Sequence, residues 1–507
     1  MHYLRYLLCF FVLACSDVEN RNTETLYIEP HRPQIHFSPK EKWMNDPNGM
    51  VYYKGIYHLF YQYYPDSTVW GPMHWGHATS TDLVHWEHLP IALYPDSLGY
   101  IFSGSAVADI HNTSGFGKEG KVPLVAIFTH HDPKGEKERR SNYQNQSLAY
   151  SLDEGKTWTK YEGNPVLKNP GIKDFRDPKV YWYEQSKIWI MTLATLDRIS
   201  FYSSSNLREW KKESEFGKQI GAHGGVWECP DLFPLEYNGQ KIWVLIVNLN
   251  PGGPNGGSAT QYFTGRFDGH QFIADDTATK WLDYGPDEYA GVTWSNTGDR
   301  KIFIGWMSNW QYADKVPTQK WRSAMTIPRE LGLQKIGNTY LVSSKPVAEI
   351  NSLEEKPAQL KNIDVTHFDL TAKTGVMKGP ARLHIIADQI ADFSITLFNT
   401  GGQKLVIGYD KATNHYFIDR TGSGKTDFEK GFAKKHLAPR LATAANIELT
   451  LIIDIASVEL FADNGLSVMT EIFFPDNNYS NITIQAPGNF KISSLEYVPM
   501  KAMYRTQ

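Results

Sequence analysis

Short apolar runs recur along the chain from about position 34 to the C-terminus, and Gly, Pro, Asn and Asp separate them. In the first two thirds such runs occupy residues 56–61, 124–128, 187–192 and 242–247. No helical 3.6-residue repeat of useful length is present. Runs of about four to eight residues between turn-forming residues are typical of strands. The pattern therefore predicts an all-β protein.

A serine-containing turn that leads to a tryptophan recurs three times in this region. It occupies residues 80–86, 151–158 and 204–210, so 72 and 52 residues separate successive tryptophans. Such intervals suit four-stranded blades with variable loops, and about 310 residues at roughly 60 per blade give five blades. A β-sandwich would also contain many short strands, but it would not account for the spaced turn. We predict a five-bladed β-propeller over residues 34–346.

The pattern changes near residues 343–357, where a Ser-Ser-Lys-Pro segment leads into Glu-Glu-Lys-Pro. Beyond it the strands alternate more regularly, as in residues 447–453, 457–461 and 467–474. Regular alternation indicates strands with one buried face. We predict a β-sandwich domain over residues 357–507 that supports the propeller, with carbohydrate contact as the alternative role.

The N-terminus has the features of a targeting segment. Arg5 precedes an apolar run over residues 6–13, and small residues lead to Cys15. The run is shorter than the roughly 20 residues that span a bilayer. Residues 1–15 resemble a bacterial lipoprotein signal in which Cys15 is acylated, and residues 16–33 would form a polar tether. An ordinary secretory signal that contains Cys15 is the alternative. The lipoprotein interpretation predicts a cell-envelope location, anchored by lipid in the outer membrane and facing the periplasm or the cell surface.

Composition narrows the possible partners. The 507 residues are 41% hydrophobic and 21% charged, and the net charge is −4 without a basic run, which excludes nucleic acid as a partner. Of the three cysteines, Cys9 and Cys15 belong to the targeting segment, so Cys229 has no partner for an intrachain disulfide. His and Cys lack the spacing of metal ligands, and no metal site is predicted. The oligomeric state is not determined by these features.

Three carboxylates lie in short segments rich in turn-forming or aromatic residues. The acids are Asp46, Asp177 and Glu228, in the segments Trp-Met-Asn-Asp-Pro-Asn-Gly (43–49), Arg-Asp-Pro (176–178) and Trp-Glu-Cys-Pro-Asp (227–231). Each acid alone is typical of a turn cap or of a solvated surface. Together they match what glycoside cleavage requires, namely carboxyl groups whose environments push their pKa values apart.

The sequence neighbours suggest how these environments differ. Arg176 is adjacent to Asp177 and would favour its ionised form, and the amides around Asp46 would do the same there. Glu228 has apolar neighbours and no adjacent cation, so we expect burial to raise its pKa and to retain a proton. Because neighbouring residues of a strand point to opposite faces, this expectation depends on the fold.

The three segments resemble the β-fructosidases of glycoside hydrolase family 32, which include invertases, inulinases and levanases. Further segments carry the resemblance in the same order along the chain: residues 61–63, 70–71, 74–77, 102–105 and 144–147. The resemblance is dense from about residue 36 to residue 321. It implies the same propeller and sandwich that the strand pattern predicts.

The resemblance also implies a role for each site residue. Asp46 would attack the anomeric carbon of a terminal fructosyl unit, Glu228 would serve as acid and then base, and Asp177 would stabilise the transition state. Such a double displacement retains configuration and places the two reacting carboxyl groups about 5–5.5 Å apart. The fructose pocket would be lined by Asn45, Gln62, Trp70, Phe102, Ser103 and Arg176, with Trp310 as a further wall. No cofactor is implied.

The predicted function is the release of terminal fructose from levan or inulin, with sucrose and fructo-oligosaccharides as further substrates. An endo-acting levanase on the cell surface is the alternative, and loops that close one end of the pocket would decide between them. A fructosyltransferase would use the same acids, and a propeller hydrolase of arabinans also uses three carboxylates. A catalytically silent glycan-binding protein is the remaining class, although it would not need all three acids.

Overall fold

A computed structural model describes residues 27–504 of the chain. These residues form a five-bladed β-propeller followed by a β-sandwich, which confirms the predicted fold class. The predicted signal segment with Cys15, and residues 16–26 of the predicted tether, lie outside the described residues. Within residues 27–504, no helix is long and apolar enough to cross a membrane.

The five blades are antiparallel sheets that follow one another along the chain. Blade 1 contains β1 (Lys42–Tyr53), β2 (Ile56–Tyr64), β3 (His74–Ser80) and β4 (Glu87–Leu93); blade 2 contains β5 (Tyr100–Ala108), β6 (Leu124–His131), β7 (Gln144–Ser151) and β8 (Thr159–Lys160), with the short helix α1 (Pro133–Lys137) between β6 and β7. Blade 3 contains β9 (Phe175–Tyr183), β10 (Ile188–Thr195), β11 (Arg198–Ser204) and β12 (Lys211–Phe216).

Blades 4 and 5 have additional short strands. Blade 4 contains β13 (Val226–Tyr237), β14 (Gln240–Asn250), β15 (Ala259–Phe267), β16 (Phe272–Ala274) and β17 (Lys280–Trp281). Blade 5 contains β18 (Tyr289–Thr293), β19 (Ile302–Met307), β21 (Ala324–Met325), β22 (Arg329–Ile336) and β23 (Thr339–Pro346). The short strand β20 (Trp321–Arg322) instead pairs in parallel with β1 of blade 1, and this pairing joins the end of the propeller to its beginning.

The first strand of each blade lies at the centre of the propeller. Strands β1, β5, β9, β13 and β18 contact one another in succession, and β18 returns to β1. Their residues therefore surround the axis, although the chain between them runs outward through the rest of each blade.

The predicted tryptophan turns connect the third and fourth strands of blades 1, 2 and 3. In the first, Ser80 Oγ bonds to Asp82 Oδ1 at 3.0 Å and the indole N–H of Trp86 donates to the carbonyl of Leu83 at 3.1 Å. The same pattern recurs at Ser151 and at Ser204. The repeat arises because a short polar side chain fixes the turn and the tryptophan packs over it.

The central strands share an irregularity at the end that carries the candidate acids. Each has one extra residue relative to its partner strand, which is a β-bulge. The bulged positions are Asn45 and Asp46 in β1, Phe102 and Ser103 in β5, Asp177 and Pro178 in β9, Cys229 and Pro230 in β13, and Ala290 and Gly291 in β18. Bulges reorient side chains, and here they do so on all five blades around one axis.

The C-terminal domain follows the 3₁₀ helix η1 (Ala348–Leu353). It contains β24 (Ala358–Asp369), the short helix α2 (Thr371–Thr374), β25 (Ala381–Ala387), β26 (Phe393–Phe398), β27 (Lys404–Asp410), β28 (His415–Asp419), β29 (Lys435–Pro439), β30 (Ile447–Ile453), β31 (Ser457–Ala462), β32 (Ser467–Ile472) and β33 (Asn481–Pro499). The first part of β33 pairs with β26 and its last part pairs with β25, so this long strand belongs to both layers. Alternating apolar residues of the two layers form one core between them.

Buried ion pairs connect the sandwich to blade 5. Arg329 contacts Asp283 of the propeller at 2.9 Å and also donates to Glu459 of β31. Arg420 contacts Asp287 at 2.6 Å, and the side chains of all five residues are fully buried. These contacts fix the segment that leads directly into β18.

Candidate active site

The structure brings together the three acids that the sequence indicates. Asp46 belongs to β1, Asp177 to β9 and Glu228 to β13, and in each case the acid lies at or beside the bulge of its strand. The thiol of Cys229 lies 3.5 Å from Asp46 Oδ2 and 3.7 Å from Asp177 Oδ2, so these two carboxyl groups converge on one sulfur atom.

Asp46 is held by donors on both carboxyl oxygens. Asn45 Nδ2 donates to Oδ1 at 2.9 Å, and Ser103 Oγ, from the neighbouring blade, donates to Oδ2 at 2.8 Å. Asn45 is itself oriented by the indole N–H of Trp43, which donates to its Oδ1 at 2.7 Å. The carboxyl group thus has a fixed orientation before any ligand binds.

Asp177 is the most deeply placed of the three acids and is only 5% exposed. Its own backbone N–H donates to Thr129 Oγ1 at 3.1 Å, and its Oδ2 accepts the backbone N–H of Cys229 at 3.1 Å. Its backbone adopts φ 63°, in the left-handed region that few non-glycine residues occupy. Such strain is found where the surrounding structure demands one orientation.

Arg176 contacts Glu228 rather than its sequence neighbour, which differs from the sequence expectation. Its NH2 lies 2.9 Å from Glu228 Oε1, whereas its Nε lies 3.9 Å from Asp177 Oδ2. Its NH1 donates to Asp174 at 2.6 Å. The positive φ at Asp177 explains the difference, because the bulge turns the Asp177 side chain away from the adjacent guanidinium.

The electrostatic environment of Asp177 also differs from the expectation. Burial, with Glu228 and Asp46 close by, raises the pKa of Asp177 to about 7, although Arg176 acts in the opposite direction. Burial and the charge of Glu228 likewise raise the pKa of Asp46. Burial raises the pKa of Asp177 by more than the adjacent Arg176 lowers it. The cluster therefore retains protons at a pH where isolated aspartates are ionised.

Three of the predicted pocket residues lie close to the bulges of β1 and β5. Gln62, on β2, lies opposite the bulge of β1, is 2% exposed, and has no hydrogen-bond partner for its Nε2. Trp70 is 39% exposed and meets Phe102 edge to face at 6.1 Å between ring centroids. Phe102 stacks on His131 at 4.1 Å. An unpaired buried amide beside aromatic walls suits a polyhydroxylated ligand.

Trp310 lies on the same side of the propeller, against two other indole rings. Its centroid is 5.9 Å from that of Trp43 and 4.9 Å from that of Trp306. Since Trp43 donates to Asn45, Trp310 supports the first bulge through its packing against Trp43.

Two polar residues of the site were not identified from the sequence. Asp174 binds Arg176, and the hydroxyl of Tyr289 donates to Glu228 Oε2. Tyr289 precedes Ala290, which has φ 55°, and Gly291. An Ala-Gly pair in a strand is a weak bulge signal, whereas Pro178 and Pro230 lie in the bulges of β9 and β13, and Pro47 directly follows the bulge of β1.

Comparison with known proteins gives consistent matches over nearly the whole chain. A family model described as "Glycosyl hydrolases family 32 N-terminal domain" matches residues 36–345, and "Glycosyl hydrolases family 32 C terminal" matches residues 343–499. A levanase of Bacillus subtilis is 47% identical over 494 residues, which cover 95% of this chain and 72% of the levanase.

Fungal proteins match similarly. An extracellular exo-inulinase of Aspergillus niger is 40% identical over 499 residues, covering 91% of this chain and 93% of the inulinase. The crystal structure of the exo-inulinase of Aspergillus awamori superposes with a TM-score of 0.86 at 36% identity, covering 94% of this chain and all of that one.

Proposed function

The chain belongs to glycosyl hydrolase family 32 and is a glycosidase that hydrolyses O-glycosyl bonds; on this basis we propose that it releases terminal fructose from β-fructans by a retaining double displacement. Levan and inulin are the proposed polymers, and fructo-oligosaccharides and sucrose are the proposed smaller substrates. The levanase and exo-inulinase relatives support this substrate class.

The observation that carries the proposal is the convergence of Asp46 and Asp177 on the thiol of Cys229, the residue that follows Glu228 in β13. Asp46 is fixed by Asn45 and Ser103, and it would attack the anomeric carbon to form a fructosyl ester. Glu228, paired with Arg176, would give its proton to the departing oxygen. In the second step Glu228 would take a proton from water, and the resulting hydroxide would release fructose from Asp46 with overall retention.

Asp177 and Gln62 would hold the fructosyl unit during these steps. Asp177 is buried beside both reacting groups, so hydroxyl groups of the sugar could donate to it where water is excluded. Gln62 offers an amide without another partner. Hydrogen bonds of this kind accelerate the reaction only to the extent that they strengthen in the transition state.

Exo action is the finer part of the proposal. Trp70, which meets Phe102 edge to face, and Trp310, which packs against Trp43, would narrow the pocket around the acids, and this favours a site that accepts the end of a chain. Both inulinase relatives are named exo-enzymes. Endo cleavage of levan is the alternative that the product pattern would identify.

The test is the early product pattern on levan and on inulin, with Asp46→Ala as the control. We expect fructose alone from the first time points, and the faster polymer identifies the preferred linkage. A ladder of oligosaccharides would establish endo cleavage instead. If the wild-type protein had no activity on levan, inulin or sucrose, the proposal would be contradicted. Proton NMR of the first anomer released would test retention.

We propose a propeller domain over residues 34–346 and a sandwich domain over residues 357–507. We also propose that the protein is exported and anchored to the cell envelope through Cys15. Polymeric substrates must be cut outside the cell, and the Aspergillus niger relative is named extracellular. Labelling with a radioactive fatty acid should mark the wild type and a Cys9→Ala control. Equal labelling of Cys15→Ala would contradict the anchor.

A further inference from the structure

Both carboxyl oxygens of Glu228 accept hydrogen bonds from side chains of neighbouring blades. Arg176 donates to Oε1, with its NH2 at 2.9 Å and its Nε at 3.3 Å. Tyr289 donates through its hydroxyl to Oε2. Since two donors on different blades fix the two oxygens, the carboxyl group has one orientation, and neither donor alone would define it.

The position of Tyr289 in its blade matches those of the other two residues in this group. Arg176, Glu228 and Tyr289 are each the last residue to pair with the neighbouring strand before the bulge. In each case the next residue has a positive φ: 63° at Asp177, 42° at Cys229 and 55° at Ala290. The same backbone device on blades 3, 4 and 5 therefore directs three side chains into one hydrogen-bonded row.

Tyr289 is well suited to remain a neutral donor. It is 1% exposed and packs in a core with Trp43 and Trp306. Burial and the adjacent charge of Glu228 raise its pKa well above the ordinary value for tyrosine. The titratable or charged groups that face Glu228 are Arg176, Tyr289, Asp46, Asp177 and Cys229.

We propose that Tyr289 is a positioning residue for Glu228 that serves both protonation states of the carboxyl group. The inference rests on the acid/base role proposed for Glu228. Arg176 can only donate, so it favours the carboxylate alone. A phenol hydroxyl can donate to the carboxylate and, after rotation, accept from the carboxylic acid.

The two steps of the reaction use these properties in turn. In the first step the proton of Glu228 passes to the departing sugar oxygen as the C–O bond breaks, and Tyr289 donates to the carboxylate that results. In the second step water gives its proton to Glu228 as its oxygen attacks the anomeric carbon. The hydroxyl of Tyr289 then turns to accept from the re-formed acid at Oε2. No proton leaves Tyr289 at any stage.

Tyr289→Phe removes only the hydroxyl and tests the proposal directly. We expect kcat/KM on sucrose to fall about 10- to 100-fold, which is less than the roughly 10²- to 10⁴-fold of a whole acid–base contribution because Glu228 itself remains. The KM should change less than about threefold, because Tyr289 contacts Glu228 rather than the predicted sugar walls. The loss should shrink strongly on an aryl β-fructofuranoside, whose leaving group needs no proton.

The pH profile supplies a readout that packing alone would not move. The hydrogen bond that Tyr289 donates to the charged carboxylate is stronger than the one it accepts from the neutral acid, so removal of the hydroxyl disfavours the ionised form of Glu228 more than the protonated form. The alkaline limb of the kcat/KM profile requires protonated Glu228. It should therefore move to higher pH in Tyr289→Phe, by about half a pH unit or more.

Tyr416→Phe is the matched control, because Tyr416 is a buried tyrosine that donates to Asp463 at 2.9 Å within the sandwich. It should alter stability and leave the pH profile unchanged. The proposal would be overturned if Tyr289→Phe lowered kcat/KM equally on sucrose and on the aryl β-fructofuranoside and left the alkaline limb of the pH profile where it is in the wild type. Glu228→Gln separates this failure from that of the function itself: if it retained activity on sucrose, the acid/base assignment would be wrong.

Discussion

At the scale of single residues, the site depends on a few short contacts between blades. Asp46 receives one donor from its own strand, Asn45, and one from blade 2, Ser103. Glu228 receives one from blade 3 and one from blade 5. Each of these two proposed reacting carboxyl groups is therefore fixed by at least one other blade, so small movements between blades would misalign the site.

Ser103→Ala should lower kcat/KM on sucrose about 10-fold or more. The change removes a hydroxyl that donates to Asp46 at 2.8 Å, and a hydrogen bond to a charged group contributes about 1.5–3 kcal/mol. Initial rates over a range of sucrose concentrations measure the effect. Ser80→Ala, which removes a serine–aspartate contact of 3.0 Å in an outer turn, should retain full activity.

Asp177→Asn should be inactive yet more stable than the wild type near pH 7.5. A carboxyl whose folded pKa is about 7 holds its proton in the folded state while the unfolded chain releases it, so stability falls as pH rises from about 4 to 7. A pKa difference of one between the folded and unfolded states corresponds to about 1.4 kcal/mol, which predicts a gain of a few kcal/mol at pH 7.5.

Urea unfolding of wild type and Asp177→Asn at pH 4.5 and pH 7.5 measures this difference. The difference should be small at the lower pH, about 1 kcal/mol, and largest at the higher one. Asp364→Asn changes an exposed carboxylate of the sandwich, and its free energy of unfolding should equal that of the wild type at both pH values. A pH-independent difference for Asp177→Asn would contradict the raised pKa.

At the scale of secondary-structure elements, the bulges of the inner strands position the reacting groups. A regular strand directs alternate residues to opposite faces, so one extra residue changes which side chains face the axis. All five inner strands use this device near the site. Proline at two of the bulged positions, Pro178 and Pro230, is compatible with it, because a bulged residue gives up a ladder hydrogen bond.

Gly291→Ala should disrupt the bulge of β18 and reduce both stability and activity. A Cβ there would lie 2.0 Å from the ring of Phe303 and 2.6 Å from Glu288, and overpacking of this kind costs about 1–3 kcal/mol. Because Tyr289 belongs to the same bulge, kcat should fall as well. Thermal unfolding and sucrose hydrolysis measure the two effects.

Gly379→Ala is the control for that change. A Cβ at Gly379 would have no heavy atom within 4 Å, and this glycine lies in the sandwich. Both the unfolding temperature and kcat should match the wild type. Wild-type kcat in Gly291→Ala would show that the bulge of blade 5 does not contribute to catalysis.

At the scale of the whole molecule, the sandwich stabilises the part of the propeller that carries Tyr289. Asp283 and Asp287 lie just before β18, and buried arginines bind both of them. Sandwich strands also pair with this segment, since the N–H of Tyr284 donates to the carbonyl of Val468 at 2.8 Å. The C-terminal domain thus acts on the site through its contacts with blade 5.

Arg329→Met should destabilise the protein by about 3–5 kcal/mol. The change leaves Asp283 buried without its cation and leaves Glu459 with His36 alone, and an unpaired buried charge is costly. Arg300→Met is the control, because Arg300 is 35% exposed in its contacts with Glu330 and Glu349, and exposed pairs contribute about 1 kcal/mol or less. Urea unfolding at pH 7 compares the two, and equal losses would contradict the expectation.

The strand pattern, the tryptophan turns and the three acids could be predicted from the sequence because each depends on neighbouring residues. A serine and an aspartate two positions apart fix a turn locally, as at Ser80 and Asp82. The turn of blade 4 was missed because phenylalanine, at position 272, follows Asp268 where the other blades have tryptophan.

Only the tertiary structure decided which groups interact across the axis. The sequence placed Arg176 beside Asp177, yet the bulge directs its guanidinium to Glu228, 52 residues further along the chain. Tyr289 has no distinctive local motif, and its role follows from its blade position and its contact with Glu228. Local residue patterns determine strands and turns, whereas charge environments depend on through-space distances that only the closed ring of blades establishes.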